Sequence, residues 1–396
     1  MSQKNNKQTG AVSLFVVIFA ALLLTVVTVG FVQIMLKDQQ QATVNDLSQS
    51  AKDAAYVGVE DAKRLLLLNQ SCRDNTAAST VNCAAITSAL TPAPGQNETE
   101  CNTLSQAGIV GETNNETIIQ KNIGDDDSAK LDQAYTCVKI GVNTDNYEDD
   151  LDMNESTVVP ITGVGEFDSV EISWFSRSDV SSTTNDPTVE FPTTGPDVSL
   201  PPVGDSWKYN YPPLLRTQLI QTGGGFKLSE LDDSQSGSRS NANTLFLYPS
   251  ATGVENTDFA LDARRIPTSS PQQIRCNATF DDANFSCKAT ITLPSPIDGN
   301  TVNRNAYLRL TALYNGAQFS IKLKRAGADV FFSGVQPEVD ATGRANDVFR
   351  RIKARVKLSG EFEFPAAAID MTGNLCKNFS VTDREEGYQN LGDCTP

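Results

Sequence analysis

The stretch "AVSLFVVIFAALLLTVVTVGFVQIML", residues 11–36, decides how the rest of this chain is read. It holds 26 residues and no charge. As a helix it would be ~39 Å long at ~1.5 Å per residue, more than the about 20 residues a hydrocarbon core requires. The apolar region of a secretory signal runs to about 7–15 residues and ends at a small-residue cleavage site. This one continues into the bulky "VQIMLKDQQQ", so it reads as a retained membrane span. Lys4 and Lys7 precede it without an acid, whereas Lys37 is followed at once by Asp38. The bias of positive charge places the N-terminus in the cytoplasm and the remainder outside. All eight cysteines lie beyond the span, as suits an oxidising exterior.

The helix does not stop at the membrane. The first proline of the chain is Pro92. Val44, Leu47, Ala51, Ala54, Gly58, Ala62 and Leu65 recur at steps of three and four, one stripe of an amphipathic helix with charges on its other faces. The spacing predicts one helix over 11–69, ~88 Å long. Its stripe is rich in Ala and Gly, which admits another backbone closely and predicts a packing surface.

A Lys-containing leader ending in Gly10, an uncharged span, and an unbroken amphipathic continuation together resemble the type IV pilin family. The likeness is to its minor pilins and pseudopilins with a PilX-like N-terminus. The residues that carry it are "TGAVSLFVVIFAALLLTVV" and "QSAKDAAYVGVEDAKR", within about residues 8–69. The resemblance implies cleavage by a prepilin peptidase between Gly10 and Ala11, and packing against other pilin subunits through the N-terminal helix. One departure stands out. Most major pilins carry a glutamate five residues into the mature chain, and Phe15 occupies that position here. The resemblance therefore implies a place at a filament tip or in its initiation complex rather than in the shaft.

Composition divides the exterior. Residues 70–156 form an acidic, loop-rich insert; over 70–160 there are 15 Asp and Glu against 4 Lys and Arg, a net −11 of the chain's −16. Residues 157–396 read as a β-rich domain with a Pro/Thr-rich linker at 181–213. In "SVEISWFS", Val170, Ile172 and Trp174 alternate inward. "AYLRLTALYNGAQFSIKLK" places Asn315-Gly316 between two alternating runs, the strongest short-range hairpin signal. A two-residue turn there sets Leu308, Leu310, Ala312 and Tyr314 opposite Leu323, Ile321, Phe319 and Ala317, with Arg309 facing Lys322 on a solvated side. The last strand is "VFRRIKARVKL", 348–358. The expected fold class is α+β: a long N-terminal transmembrane-plus-amphipathic helix followed by a large extracellular antiparallel β-rich region with disulfides.

Proximity pairs the cysteines as Cys72–Cys83, Cys101–Cys137, Cys276–Cys287 and Cys376–Cys394, one of 105 connectivities. The last closes a loop similar to the C-terminal disulfide loop of many pilins. No C-x-x-C occurs and the chain has no histidine, which removes His-based triads, Cys–His pairs and His metal ligands. "DATG" (340–343) and "DMTG" (370–373) carry one residue too many for an aspartic-protease motif and read as turns. "GGGFKLS", 223–229, lacks phosphate-loop spacing. No enzyme and no cofactor are expected.

Calcium is the one ion that the residues invite. Asp145, Glu148, Asp149, Asp150, Asp152 and Glu155 crowd into "TDNYEDDLDMNES", although Glu155 stands where an EF-hand loop needs Gly. On the last strand Arg351, Lys353, Arg355 and Lys357 share one face, a candidate polyanion or DNA contact. The competing reading pairs them with acids of this chain or a neighbour. The functional expectation is a minor pilin-like subunit, partnered by other pilins, the membrane, the processing peptidase and a host-surface or DNA ligand. The alternative is a static, single-pass surface protein or adhesin.

Overall fold

The computed structural model describes residues 9–112, 116–120, 132–180, 188–192, 207–208, 210–221, 242–259, 271–280, 284–297 and 306–358. In chain order the elements are α1 (Thr9–Arg73), α2 (Cys83–Ala89), α3 (Thr103–Gln106), β1 (Thr117–Gln120), β2 (Gln133–Thr144), β3 (Tyr147–Leu151), β4 (Ser156–Pro160), β5 (Phe167–Ser176), β6 (Leu214–Gln221), β7 (Ala242–Ser250), β8 (Asn256–Asp258), β9 (Gln272–Arg275), β10 (Phe285–Ile297), β11 (Ala306–Leu313), β12 (Ala317–Arg325), β13 (Ala328–Val330), β14 (Phe332–Ala345) and β15 (Val348–Arg355).

They form two compact units, one of residues 1–141 with 338–356 and the other of 142–337 with the chain from 357 onward. The boundaries fall inside β2 and β14, not at the composition change near 157. The second unit is thus inserted between two neighbouring strands of the first, whose sheet runs β1-β2-β14-β15. Composition could not reveal this, because each crossing lies within a single continuous strand and not at a linker.

The first unit is α1 with its sheet. At 65 residues the helix is ~98 Å long, and it contains the whole expected span of 11–69. Its lower half is covered by the sheet, because alanine and glycine let the two backbones approach. Ala51, Ala54, Gly58, Ala62 and Leu65 are buried, together with Ala55, Val59 and Leu66, which the three-and-four spacing omitted. Leu47 is half-buried and Val44 is 52% exposed, so the packed stripe begins later than expected. Two glycines mark the closest approach. A Cβ on Gly343 of β14 would lie 2.1 Å from the Ala51 carbonyl oxygen, and one on Gly58 would lie 3.0 Å from Val138 of β2.

The second unit is a β-sandwich. One sheet runs β13-β12-β5-β10-β8, with β3 also on β12; the other runs β4-β11-β6-β7-β9. Most pairs are antiparallel, but β8 on β10 and β9 on β7 are parallel. A single apolar core joins the two sheets, with Val170, Ile172 and Trp174 fully buried as their alternation predicts.

The hairpin expected around Asn315-Gly316 is overturned. The chain does turn there, but β11 pairs with β4 and β6, while β12 pairs with β3, β5 and β13. The two runs belong to opposite sheets. Their apolar faces, Leu308, Leu310 and Ala312 on one and Phe319, Ile321 and Leu323 on the other, line a common core. Alternation cannot tell these arrangements apart, since both bury the same side chains. Arg309 lies between Val158 and Gln218 and donates to the Ser156 hydroxyl (3.1 Å), and Lys322 lies opposite Glu171. Asn315 serves another purpose: its amide donates to the Lys208 and Tyr211 carbonyls at 2.9 and 2.8 Å. These bonds hold Lys208 and Tyr211 beside the stack of Trp207 on Tyr314, whose ring centroids are 4.7 Å apart.

Candidate functional site

Most of the residues singled out in the sequence fall on three features: the uncovered length of α1, the disulfides that follow that helix, and the charged outer strand of its sheet. The uncharged part of α1 from Phe15 to Leu36 is exposed on every side, and it is the one described helix long and apolar enough to cross a membrane. The backbone is already helical at Thr9, so Gly10 and Ala11 lie within the helix rather than before it. Beyond Leu36, residues 37–46 remain exposed, and burial begins in earnest at Ala51. The small-residue stripe predicted as a packing surface is therefore occupied by this chain's own sheet. Tyr135 of β2 completes that contact by donating its hydroxyl to Asp61 of α1 at 2.8 Å. Burial holds the Tyr135 phenol well above its ordinary pKa, leaving it a permanent donor.

Cys72–Cys83 ties the last turn of α1 to α2, and Cys101–Cys137 ties the segment before α3 to β2. Cys276–Cys287 lies across an isolated antiparallel bridge in the sandwich. Cys376, Cys394 and the "DMTG" and "GGGFKLS" stretches lie outside the described residues.

The acidic stretch near 150 becomes strand β3, paired with β12 so that Asp149 faces Phe319 and Glu148 faces Ser320. An extended strand sends successive carboxylates to opposite faces, whereas a calcium ion needs several oxygens around one point. Among the described residues no group of three acidic, cysteine or histidine side chains could hold a metal. "DATG" is likewise no turn; it lies within β14, opposite 350–353 of β15.

Arg351, Lys353, Arg355 and Lys357 each have an acid beside them. Arg351 grips Asp340 with two nitrogens, Lys353 meets Glu338, Arg355 is 3.9 Å from Glu338, and Lys357 meets Asp149. Two of the acids stand on β14, directly beside β15, so the basic stripe is largely a strand-to-strand charge ladder. A polyanion would have to displace those partners, which makes this face a poor phosphate contact. Asp340 and Glu338 lie 11–17 positions upstream on β14, opposite β15 only once the two strands pair, and Asp149 lies 208 positions upstream on β3.

Asp340 is 5% exposed. Its hydrogen bonds to Arg351, against a smaller opposing effect of burial, hold its pKa below the usual carboxylate range. Asp329 in the sandwich is lowered in the same sense by Lys324. A depressed acid contributes stability above its unfolded pKa of about 3.9, and that stability is lost as pH falls through the folded value. Melting of the detergent-solubilised chain should thus be level from pH 7 to 5 and decline below about pH 4. Asp340→Asn should lower the melting temperature of the helix–sheet unit at pH 7 and flatten its acid dependence. An unchanged acid profile in that variant would remove Asp340 from the account. Comparison of the chain with family models, with curated proteins and with solved structures gives no match.

Proposed function

We propose that this chain is a pilin-like structural subunit of a type IV pilus or related filament, positioned at its tip or in its initiation complex. The observation that carries the reading is α1: one unbroken helix, apolar and uncovered in its first half, bedded on a four-stranded sheet in its second. Such a helix holds its folded part at a membrane and offers an apolar half that could later pack among copies in a filament. The disulfides suit a position outside the cell. Because the Ala/Gly stripe is already covered, contacts with other subunits fall to the apolar half and to the exposed face of Lys52, Tyr56 and Val57. The resemblance to minor pilins at residues 8–69 supports the reading, and Phe15 in place of a glutamate favours the tip over the shaft.

The test is the N-terminus of the mature protein. Sequencing should find Ala11 first, and Gly10→Leu should leave the leader attached. An intact leader on surface-exposed protein would instead establish a static anchor. Immunogold labelling of sheared filaments should then mark their ends, with few copies per filament. Uniform decoration along the length would exclude the tip position.

A further inference from the structure

The route of the chain between α1 and the sandwich has a mechanical consequence. Covalently, tension applied between the apolar half of α1 and the inserted sandwich runs from Cys72 to Val142, where the chain enters the second unit. That route spans 70 residue steps. The two disulfides enclose 11 and 36 of them, 47 in all. Only the stretches 83–101 and 137–142 are left free to extend.

The fold also indicates which unit yields first. The sandwich is held by an extensive core with Trp174, Phe167, Phe259 and Phe319 fully buried. The helix contributes four alanines, one glycine and only three larger apolar side chains to its sheet contact between 51 and 66. Area removed from water sets much of the free energy that holds a contact together, and by that measure the helix–sheet contact is the smaller and is expected to open first. The second bridge sits where its opening would start. Residues 99–102 run beside β2, with the Val138 amide donating to the Cys101 carbonyl (3.1 Å) and the Thr99 amide to the Ile140 carbonyl (3.0 Å). Once β2 is pulled away these bonds break, but the Cys101–Cys137 bond remains.

We infer that Cys72–Cys83 and Cys101–Cys137 are extension stops: under tension the helix–sheet unit opens before the sandwich, and the two bridges limit how far it pays out. The inference rests on the reading of α1 as an anchored segment, since a stop acts only where the two ends are drawn apart. Its consequence is a surface subunit that keeps its outer part close to the anchor under load in an oxidising medium and lets go when reduced.

Single-molecule pulling on the full chain in detergent tests this. One handle is placed at the N-terminus, and the other is inserted in the exposed turn between Ala326 and Gly327, a tolerant kind of site. Adding dithiothreitol to the folded chain should lengthen the first unfolding step by roughly 160 Å, the 47 residues at ~3.4 Å each. The sandwich carries its own control, because Cys276–Cys287 encloses 11 residues. If the sandwich yields first, reduction lengthens the first step by only roughly 37 Å, and the inference falls. A first step unchanged by reduction overturns it equally. Cys101→Ser/Cys137→Ser, if folded, should by itself restore roughly 120 Å of the gain. The readout does not depend on whether Gly10 is processed, so failure here and failure of the pilin-like reading are separate results.

Discussion

Gly343→Val should unfold the helix–sheet unit and leave the sandwich intact. A Cβ at Gly343 would lie 2.1 Å from the Ala51 oxygen, 2.3 Å from the Ala55 nitrogen and 2.9 Å from the Ala54 carbonyl carbon. All three are backbone atoms of a helix, and no rotamer change relieves them. The strand must move off the helix, and with it goes the burial of Ala51, Ala54, Ala55 and Gly58. Overpacking in a core typically costs about 1–3 kcal/mol; with backbone as the obstacle we expect about 3 kcal/mol or more, a large share of a domain's ~5–15 kcal/mol margin. Two readouts separate the units. Lys52, Lys63 and Arg64 are exposed on α1, and trypsin should cut there much faster in the variant. The chain's two tryptophans, Trp174 and Trp207, both belong to the sandwich, so its fluorescence-detected melting should stay where it was. Gly30→Ala is the control, since nothing lies within 4 Å of its added methyl. A Gly343 variant with wild-type protease resistance would show that the helix and sheet are not in the close contact described.

Trp174→Ala should do the converse. The indole is fully buried, lies opposite Cys287 on one neighbouring strand and Phe319 on the other, and donates its N–H to the Pro213 carbonyl at 3.2 Å. Removing it leaves a large cavity and an unanswered carbonyl, a loss of about 3–5 kcal/mol. Melting followed through the remaining Trp207 should shift down sharply, while tryptic cutting at Lys52 and Lys63 stays slow. Simultaneous loss of both units in either variant would mean that they unfold as one, and the division within β2 and β14 would have no energetic meaning.

The sequence disclosed most where a signal was local. The charge-free run of 26 residues, the absence of proline before Pro92 and the stripe from Val44 to Leu65 placed α1 to within a few residues at either end, although only the part from Ala51 onward is packed. Inward alternation found the buried face of β5, and the three described disulfides join cysteines that proximity alone would pair. Ala55, Val59 and Leu66 escaped because a helix bedded on a sheet buries a wider face than a single row of threes and fours.

Local pattern settled which residues would be buried, because burial follows from the period of the apolar side chains and the period belongs to the segment itself. It could not settle what each segment would be buried against. Leu308 and Phe319 alternate equally well side by side in a hairpin or face to face across a core, and the tertiary structure chose the core. Asp340 and Arg351 stand 11 positions apart without any sequence sign of a partnership, until β14 and β15 pair and set acids beside the basic stripe. The acids of β3 crowd together in the sequence and are spread apart by an extended backbone. Most of all, β2 and β14 are neighbours in one sheet with an entire sandwich threaded between them. Pairing across such a distance is decided by the summed burial of the whole sheet on α1, a quantity that exists only once the chain has folded.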